Sequence, residues 1–488
     1  MTTFSSRYAI PDGGAGAPVL AARDRSEDAA VLTSLRSADA DRAILIRGGT
    51  ILSQDPPVGD FASGDVLIRG GKIAEVGQDL TAQAGDAIVI DASDAIVIPG
   101  FVDAHVHAWE GQLRSTAPVL DFPEYLGFTH FGYGPHYRPH DNYVGTLATA
   151  LVALNAGITT FIDNSHNSRT PDHSNAAVEA LLDAGIRGVH ASGVPIGAEV
   201  ANWPADVERL RAEYFASEDQ LVTLRLMDVF PSAEVWEFAK NHGLWFSHEM
   251  GSHIENVADT LSDLSAKGLM TDKHTYNHGF DLPDKAWDLI AGSGGTVNVC
   301  PRSDAAFGLG SGFPPIDKVR ELGLRPGLSG DNEISYGLNP FSEMQTLLNG
   351  HRGRTFERIA AGEEGVPEHL SPADVFEFAT MGGAVNAGLD ARTGSLTPGK
   401  DADIVLIRTT DVNTAPLSNA LATVTAFAHP GNVDTVFVAG QVRKFRGELV
   451  GQDLGRIRGL IETSRDYLFA ASGRRPDVLA CQGSTQVG

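Results

Sequence analysis

The sequence predicts an α/β protein: a (β/α)8 TIM-like barrel joined to a small β-sandwich built from both chain ends. Three observations predict it. The chain has 488 residues, too many for one compact core, which calls for a large barrel and an additional domain. Its middle alternates strand-like and helix-like segments, the pattern of a parallel α/β fold. Short strand patterns punctuated by glycine stand on both sides of that middle.

The elements follow in order. Residues 1–42 are rich in Ala, Gly, Ser and Asp with little periodicity, and read as a tail or arm. Residues 43–98 hold the runs Ala43–Leu52, Asp65–Gly77 and Ala87–Asp91, the first part of the sandwich. Residues 99–390 form the barrel. Its strands are expected at Phe101–Ala108, Ile158–Ser165, Gly188–Ser192, Val222–Phe230, Leu244–Glu249, Thr275–Phe280, Thr296–Ser303 and Arg325–Asp331. Helical patterns between them include Asn142–Asn155, Ser174–Ala184, Ala205–Phe215, Ala233–Asn241, Ile254–Lys267 and Pro283–Ala291. Residues 391–450 return to the sandwich through Gly394–Ile407 and Thr435–Val442, and 451–488 read as a C-terminal helix and tail.

Composition narrows the function classes. The net charge of -25 repels phosphate backbones and anionic membranes, which argues against nucleic acid or a membrane surface as partner. Two cysteines, Cys300 and Cys481, make no disulfide framework and point to a reducing compartment, the cytoplasm. Met1–Arg7 lacks a basic region followed by an apolar core, so no secretory signal is expected. No run of about 18 apolar residues predicts a membrane helix.

Chemistry concentrates at predicted strand ends. The apolar run Ala95–Val102 delivers His105 and His107, which share one face of a strand and suit a two-point metal chelate. Strand five ends in His248, strand six in His278, strand eight in Asp331. Barrel enzymes carry their chemistry at the C-terminal ends of their strands, so these five residues are expected to meet at one mouth.

The stretches Pro99–His107, Gly157–Asp163, His278–Leu282, Cys300–Asp304, Gly330–Asp331 and Gly394–Asp403 resemble the amidohydrolase superfamily, in the branch of cytosine deaminase and the triazine hydrolases. The resemblance runs from Ala43 to about Val450. It implies that His105, His107, His248 and Asp331 ligate one divalent ion, zinc before iron, manganese or cobalt. A bound ion brings water from a pKa of about 15.7 to about 7. Asp331 then handles the proton and His278 donates a hydrogen bond to the developing tetrahedral centre; these are the two candidate catalytic residues. The resemblance also implies a homo-oligomer.

Relatives with two metals bridge them through a lysine on strand four. The segment between Asp163 and Ala239 contains no lysine, and Arg225 stands on that strand, so one metal is expected. Deaminases of the branch carry Glu three residues after the strand-five histidine; here that residue is Gly251, and Glu249 is expected to point to the opposite face. Hydrolysis of an amide, urea, carbamate or similar carbon–nitrogen bond in a small cyclic or aromatic molecule is therefore the leading expectation. Deamination of an N-heterocycle is the alternative, and a non-catalytic scaffold the second. Expected substrate contacts are Trp109, Gln112, His166, Ser303 and Asp304, under an aromatic, His-bearing lid from Phe122 to Tyr137.

Overall fold

Pro99 and Gly100 divide two sheets in the computed structural model, which describes residues 25–37, 42–198, 200, 203–217, 219–479 and 485–487. Before them run β1 (Ile44–Ile51), β2 (Phe61–Arg69), β3 (Lys72–Gly77), β4 (Ile88–Asp91) and β5 (Ala95–Pro99). After them come the barrel strands: β6 (Phe101–Val106), β7 (Ile158–Ser165), β8 (Arg187–Ser192), β9 (Val222–Asp228), β10 (Trp245–Gly251), β11 (His274–Phe280), β12 (Thr296–Val299) and β13 (Pro326–Leu328). The chain then returns to the first sheet with β14 (Ile404–Arg408), β15 (Val433–Val438), β16 (Gln441–Phe445) and β17 (Glu448–Leu449).

The first sheet has nine strands and joins the two chain ends where β14 pairs antiparallel with β5, Val405 opposite Ile98. Its core gathers Ile46, Val66, Val97, Leu406 and Phe437. Residues 25–37, read as tail, form a helix whose Leu35 packs into that core; residues 1–24 and Cys481 lie outside the described residues.

Strands β6 to β13 pair in sequence order, all parallel, as the (β/α)8 expectation requires. Strand β7 is buried at every position, because the barrel interior covers one face and helices cover the other. Closure falls at the C-terminal ends: Asp331 N–H donates to His105 O (3.0 Å) and His107 N–H to Asp331 O (2.7 Å). Arg187 and Asp403, both fully buried, join the barrel to the first sheet through a 2.7 Å contact.

Two further elements differ from expectation. The seventh strand stops at Val299 because Pro301 opens a helix, Pro301–Phe307, so Ser303 and Asp304 sit on a helix. The lid segment is helical throughout most of its length, as short pieces at Phe122–Tyr125, Leu126–Tyr133 and Gly134–His136. Its Tyr125, Phe128 and Tyr133 pack with Leu468 of the C-terminal helix Leu454–Ser472.

Candidate active site

Strand parity decides which side chains reach the mouth. His105 and His107 leave the end of β6 together, with ring centroids 4.7 Å apart. Asp331 meets both: its Oδ1 lies 3.0 Å from His105 Nε2 and 3.2 Å from His107 Nε2. Ser303 Oγ donates to the other oxygen of Asp331. His278 stands beside them, its ring 5.3 Å from that of His105, and its Nδ1 is held by Asp304 at 2.9 Å. Asp331 and His278 both adopt positive φ, 65° and 62°, a conformation that costs energy for residues other than glycine and that clusters at functional sites.

His248 does not join this group. Its Nδ1 is 2.7 Å from Asp228 Oδ1 and its Nε2 is 2.8 Å from His274 Nδ1, behind the strand and against Trp236. The residue that faces the mouth from β10 is Glu249, opposite to expectation. Its Oε1 lies 3.6 Å from His105 Nε2 and its Oε2 3.6 Å from His278 Nε2. Asn164 of β7 donates to Oε1 at 2.9 Å. The reason is legible in the period-two pattern. Phe246, His248 and Met250 share a face, and Phe246 and Met250 are both fully buried in the apolar core between strands and helices. Ser247 and Glu249 share the other face, toward the interior.

The electrostatics favour a cation here. Burial opposes protonation of His107, yet its bond to Asp331 and the charges of Asp331, Glu249 and Glu110 push it up to about 10. Burial also opposes protonation of His278, and Asp304, Asp331 and Glu249 outweigh it, raising the ring to about 9. Burial raises Asp331, but its bonds to His105 and His107 hold it well below the usual carboxylate range. Donor atoms 2.0–2.2 Å from a tetrahedral ion stand about 3.4 Å from each other. The 3.0, 3.2 and 3.6 Å separations among His105, His107, Asp331 and Glu249 match that spacing. His105, His107 and Glu249 place one ligand atom each within 4.8 Å of the others. The residues present therefore fit a divalent ion, with Glu249 where His248 was expected.

Above this cluster opens a cavity walled by Phe122, Tyr125, Phe280 and Phe307, with His130, His166 and His253 on its sides. Tyr125 stacks on Phe307 at 4.6 Å, and His253 on Phe280 at 5.7 Å. No Lys or Arg among the described residues lines it. His166 reaches this cavity with both ring nitrogens buried and without a hydrogen-bond partner. The other expected contacts lie elsewhere. Trp109 is buried behind His130 and His166, and Gln112 donates to Asp141 O at 3.1 Å. Ser303 and Asp304 hold Asp331 and His278 and do not wall the cavity.

Residues 96–443 match the family model described as Amidohydrolase family, well over half of the chain. The chain belongs to the amidohydrolase family. It is a hydrolase of carbon–nitrogen bonds other than peptide bonds, the class common to the leading expectation and its deaminase alternative. Similar curated proteins include the 5-methylthioadenosine/S-adenosylhomocysteine deaminase of Caldicellulosiruptor saccharolyticus. It is 26% identical over 426 residues, covering 84% of this chain and 95% of that one. The enzyme of the same name from Pelotomaculum thermopropionicum is 27% identical over 435 residues, covering 85% and 96%. Among solved structures, a zinc-bound adenosine deaminase from Xanthomonas campestris superposes with a TM-score of 0.75 at 22% identity, over 88% of this chain and 98% of that one. Atrazine chlorohydrolase from Arthrobacter aurescens, complexed with zinc, gives 0.72 at 22% identity, over 86% and 100%. These two likenesses establish that the amidohydrolase has their fold.

Proposed function

We propose that this amidohydrolase is a metal-dependent aminohydrolase that releases ammonia from a planar, uncharged or cationic N-heterocycle. The observation that carries the reading is Glu249. No carboxylate stands three residues after His248, but Glu249 turns Oε1 toward the metal residues, 3.6 Å from His105 Nε2, and leaves Oε2, 3.6 Å from His278 Nε2, to share in proton transfer at the substrate. The similar 5-methylthioadenosine/S-adenosylhomocysteine deaminases favour the same reaction class. The wider branch of cytosine deaminase and the triazine hydrolases, a cytoplasmic location and a homo-oligomer belong to the same proposal. No described helix is long and apolar enough to cross a membrane.

His105, His107, Asp331 and Glu249 would hold one divalent ion, zinc first. Such an ion, when bound, supplies an acidified water at neutral pH. The chain's own groups do the rest. The aromatic walls orient a flat ring, and the lack of Lys and Arg among the described lining residues disfavours a phosphate or carboxylate group on it. His166 offers hydrogen bonds to the ring's polar edge. Asp331, ionised and buried, accepts a proton. His278, fixed at Nδ1 by Asp304, presents Nε2 as proton donor to the leaving nitrogen, which departs as ammonia.

Ammonia release from a panel of purines, pyrimidines, pterins and triazines tests the reading. Turnover of at least one, abolished by chelator and restored by metal, is the expected result. No ammonia from any of them, with hydrolysis of amides, ureas or carbamates, would replace deamination with the other branch of carbon–nitrogen chemistry.

A further inference from the structure

The opposite end of the barrel carries an unassigned basic cavity. It occupies about 330 Å³ and is lined by Arg211, Arg225, Lys273 and Arg392, with no Asp or Glu in its wall among the described residues. It opens where β9, β10 and β11 begin, far from the mouth in chain direction: Thr223–Arg225 start β9, Gly243–Trp245 lead into β10, and Lys273 precedes β11.

Arg225 is the unusual member. It is fully buried, and a buried guanidinium ordinarily keeps a carboxylate partner. Here it has none among the described residues. One terminal nitrogen donates to Ser247 Oγ at 3.1 Å and Thr275 Oγ1 at 3.3 Å, the other to Asn386 O at 3.0 Å. Its Nε is buried without any acceptor. Burial alone brings the group down to about 9, with no anion among the described residues opposing it. Around it, Arg211 donates to His242 O and Lys273 to Gly243 O, so both spend hydrogen bonds on carbonyls and keep their charge uncompensated among the described residues. Arg392 is balanced by Asp401 at 2.9 Å and Asp219 at 3.7 Å. Three net positive charges thus face one hollow, in a chain whose net charge is -25.

We infer that this cavity at the N-terminal face of the barrel is a binding site for a small oxyanion of phosphate size, neutralised by Arg225, Arg211 and Lys273. Ser247 and Thr275, which Arg225 grips, lie two residues before Glu249 and Asn277 on the same inward faces of β10 and β11. Asn277 in turn reaches Glu249 Oε1 at 3.4 Å. An anion on Arg225 therefore bears on the two strands that carry the mouth's carboxylate and histidine.

Isothermal titration of the metal-loaded protein with inorganic phosphate, at ionic strength fixed with chloride, tests the site. The expected result is one phosphate per chain, with sulfate competing. The rim variants R211A and K273A should each weaken it tenfold or more without lowering the melting temperature in phosphate-free buffer. Arg225→Met should abolish binding if it folds; the rim variants decide the matter if it does not. No binding beyond the chloride control would overturn the inference. So would equal affinity in an R211A/K273A double variant, which would put the phosphate at the mouth instead.

Discussion

Glu249 Oε1 stands 3.6 Å from His105 Nε2 across the barrel mouth, while His248, the adjacent residue, turns its ring 2.7 Å from Asp228 behind the strand. One residue of strand parity separates a side chain at the chemistry from one in the wall.

His248 should therefore act on stability. Its ring links Asp228, which also accepts from Trp236 Nε1 at 2.8 Å, to His274. Truncation leaves buried polar atoms unpaired, a cost of about 1–3 kcal/mol. Chemical denaturation of His248→Ala should show that loss, while the remaining folded protein keeps its metal. An unchanged midpoint would argue against the buried chain of bonds.

The aromatic cavity makes a kinetic prediction. Phe307→Ala removes the partner stacked on Tyr125 and should raise KM for a heterocyclic substrate about two- to tenfold, since an aromatic pair contributes about 0.5–1.5 kcal/mol beyond burial. The effect on kcat should be smaller. His166→Phe keeps the shape and removes both ring nitrogens, and should also act mainly on KM. A fall in kcat alone, with KM unchanged, would place these residues outside substrate binding.

Lys444 gives a pH dependence far from the site. Its Nζ donates to Asn155 O at 2.7 Å, at the end of the helix Pro139–Asn155, and burial lowers the amine to about 8. The unfolded value is about 10.4. Between these two values the unfolded chain binds the proton and the folded chain does not, so stability rises with pH in that window. Unfolding free energies of wild type and Lys444→Met, compared from pH 7.5 to 10.5, should diverge in favour of wild type. Parallel profiles would contradict the lowered amine.

The barrel was readable because its strands are continuous apolar runs separated by helical periods, and Ile158–Ser165 came out with the same ends in sequence and structure. His105, His107, His278 and Asp331 were readable because a strand end is a place in sequence as well as in space. Glu249 was not, because a resemblance centred on histidine outweighed the parity signal of Phe246 and Met250 beside His248. The helix carrying Ser303 and Asp304 is masked in the sequence by the apolar run that precedes it, which ends at Pro301. Trp109 and Gln112 follow the metal pair closely in sequence, but the turn at Ala108–Leu113 buries both. The basic cavity left no motif, since Arg211, Arg225 and Lys273 come from separate βα units.

Elemental analysis of the purified variants Glu249→Ala and His248→Ala, beside wild type, bears most directly on the central claim. The geometry predicts about one divalent ion per chain in wild type and in His248→Ala, and a loss of most of it in Glu249→Ala. Metal retained in Glu249→Ala and lost from folded His248→Ala would contradict it.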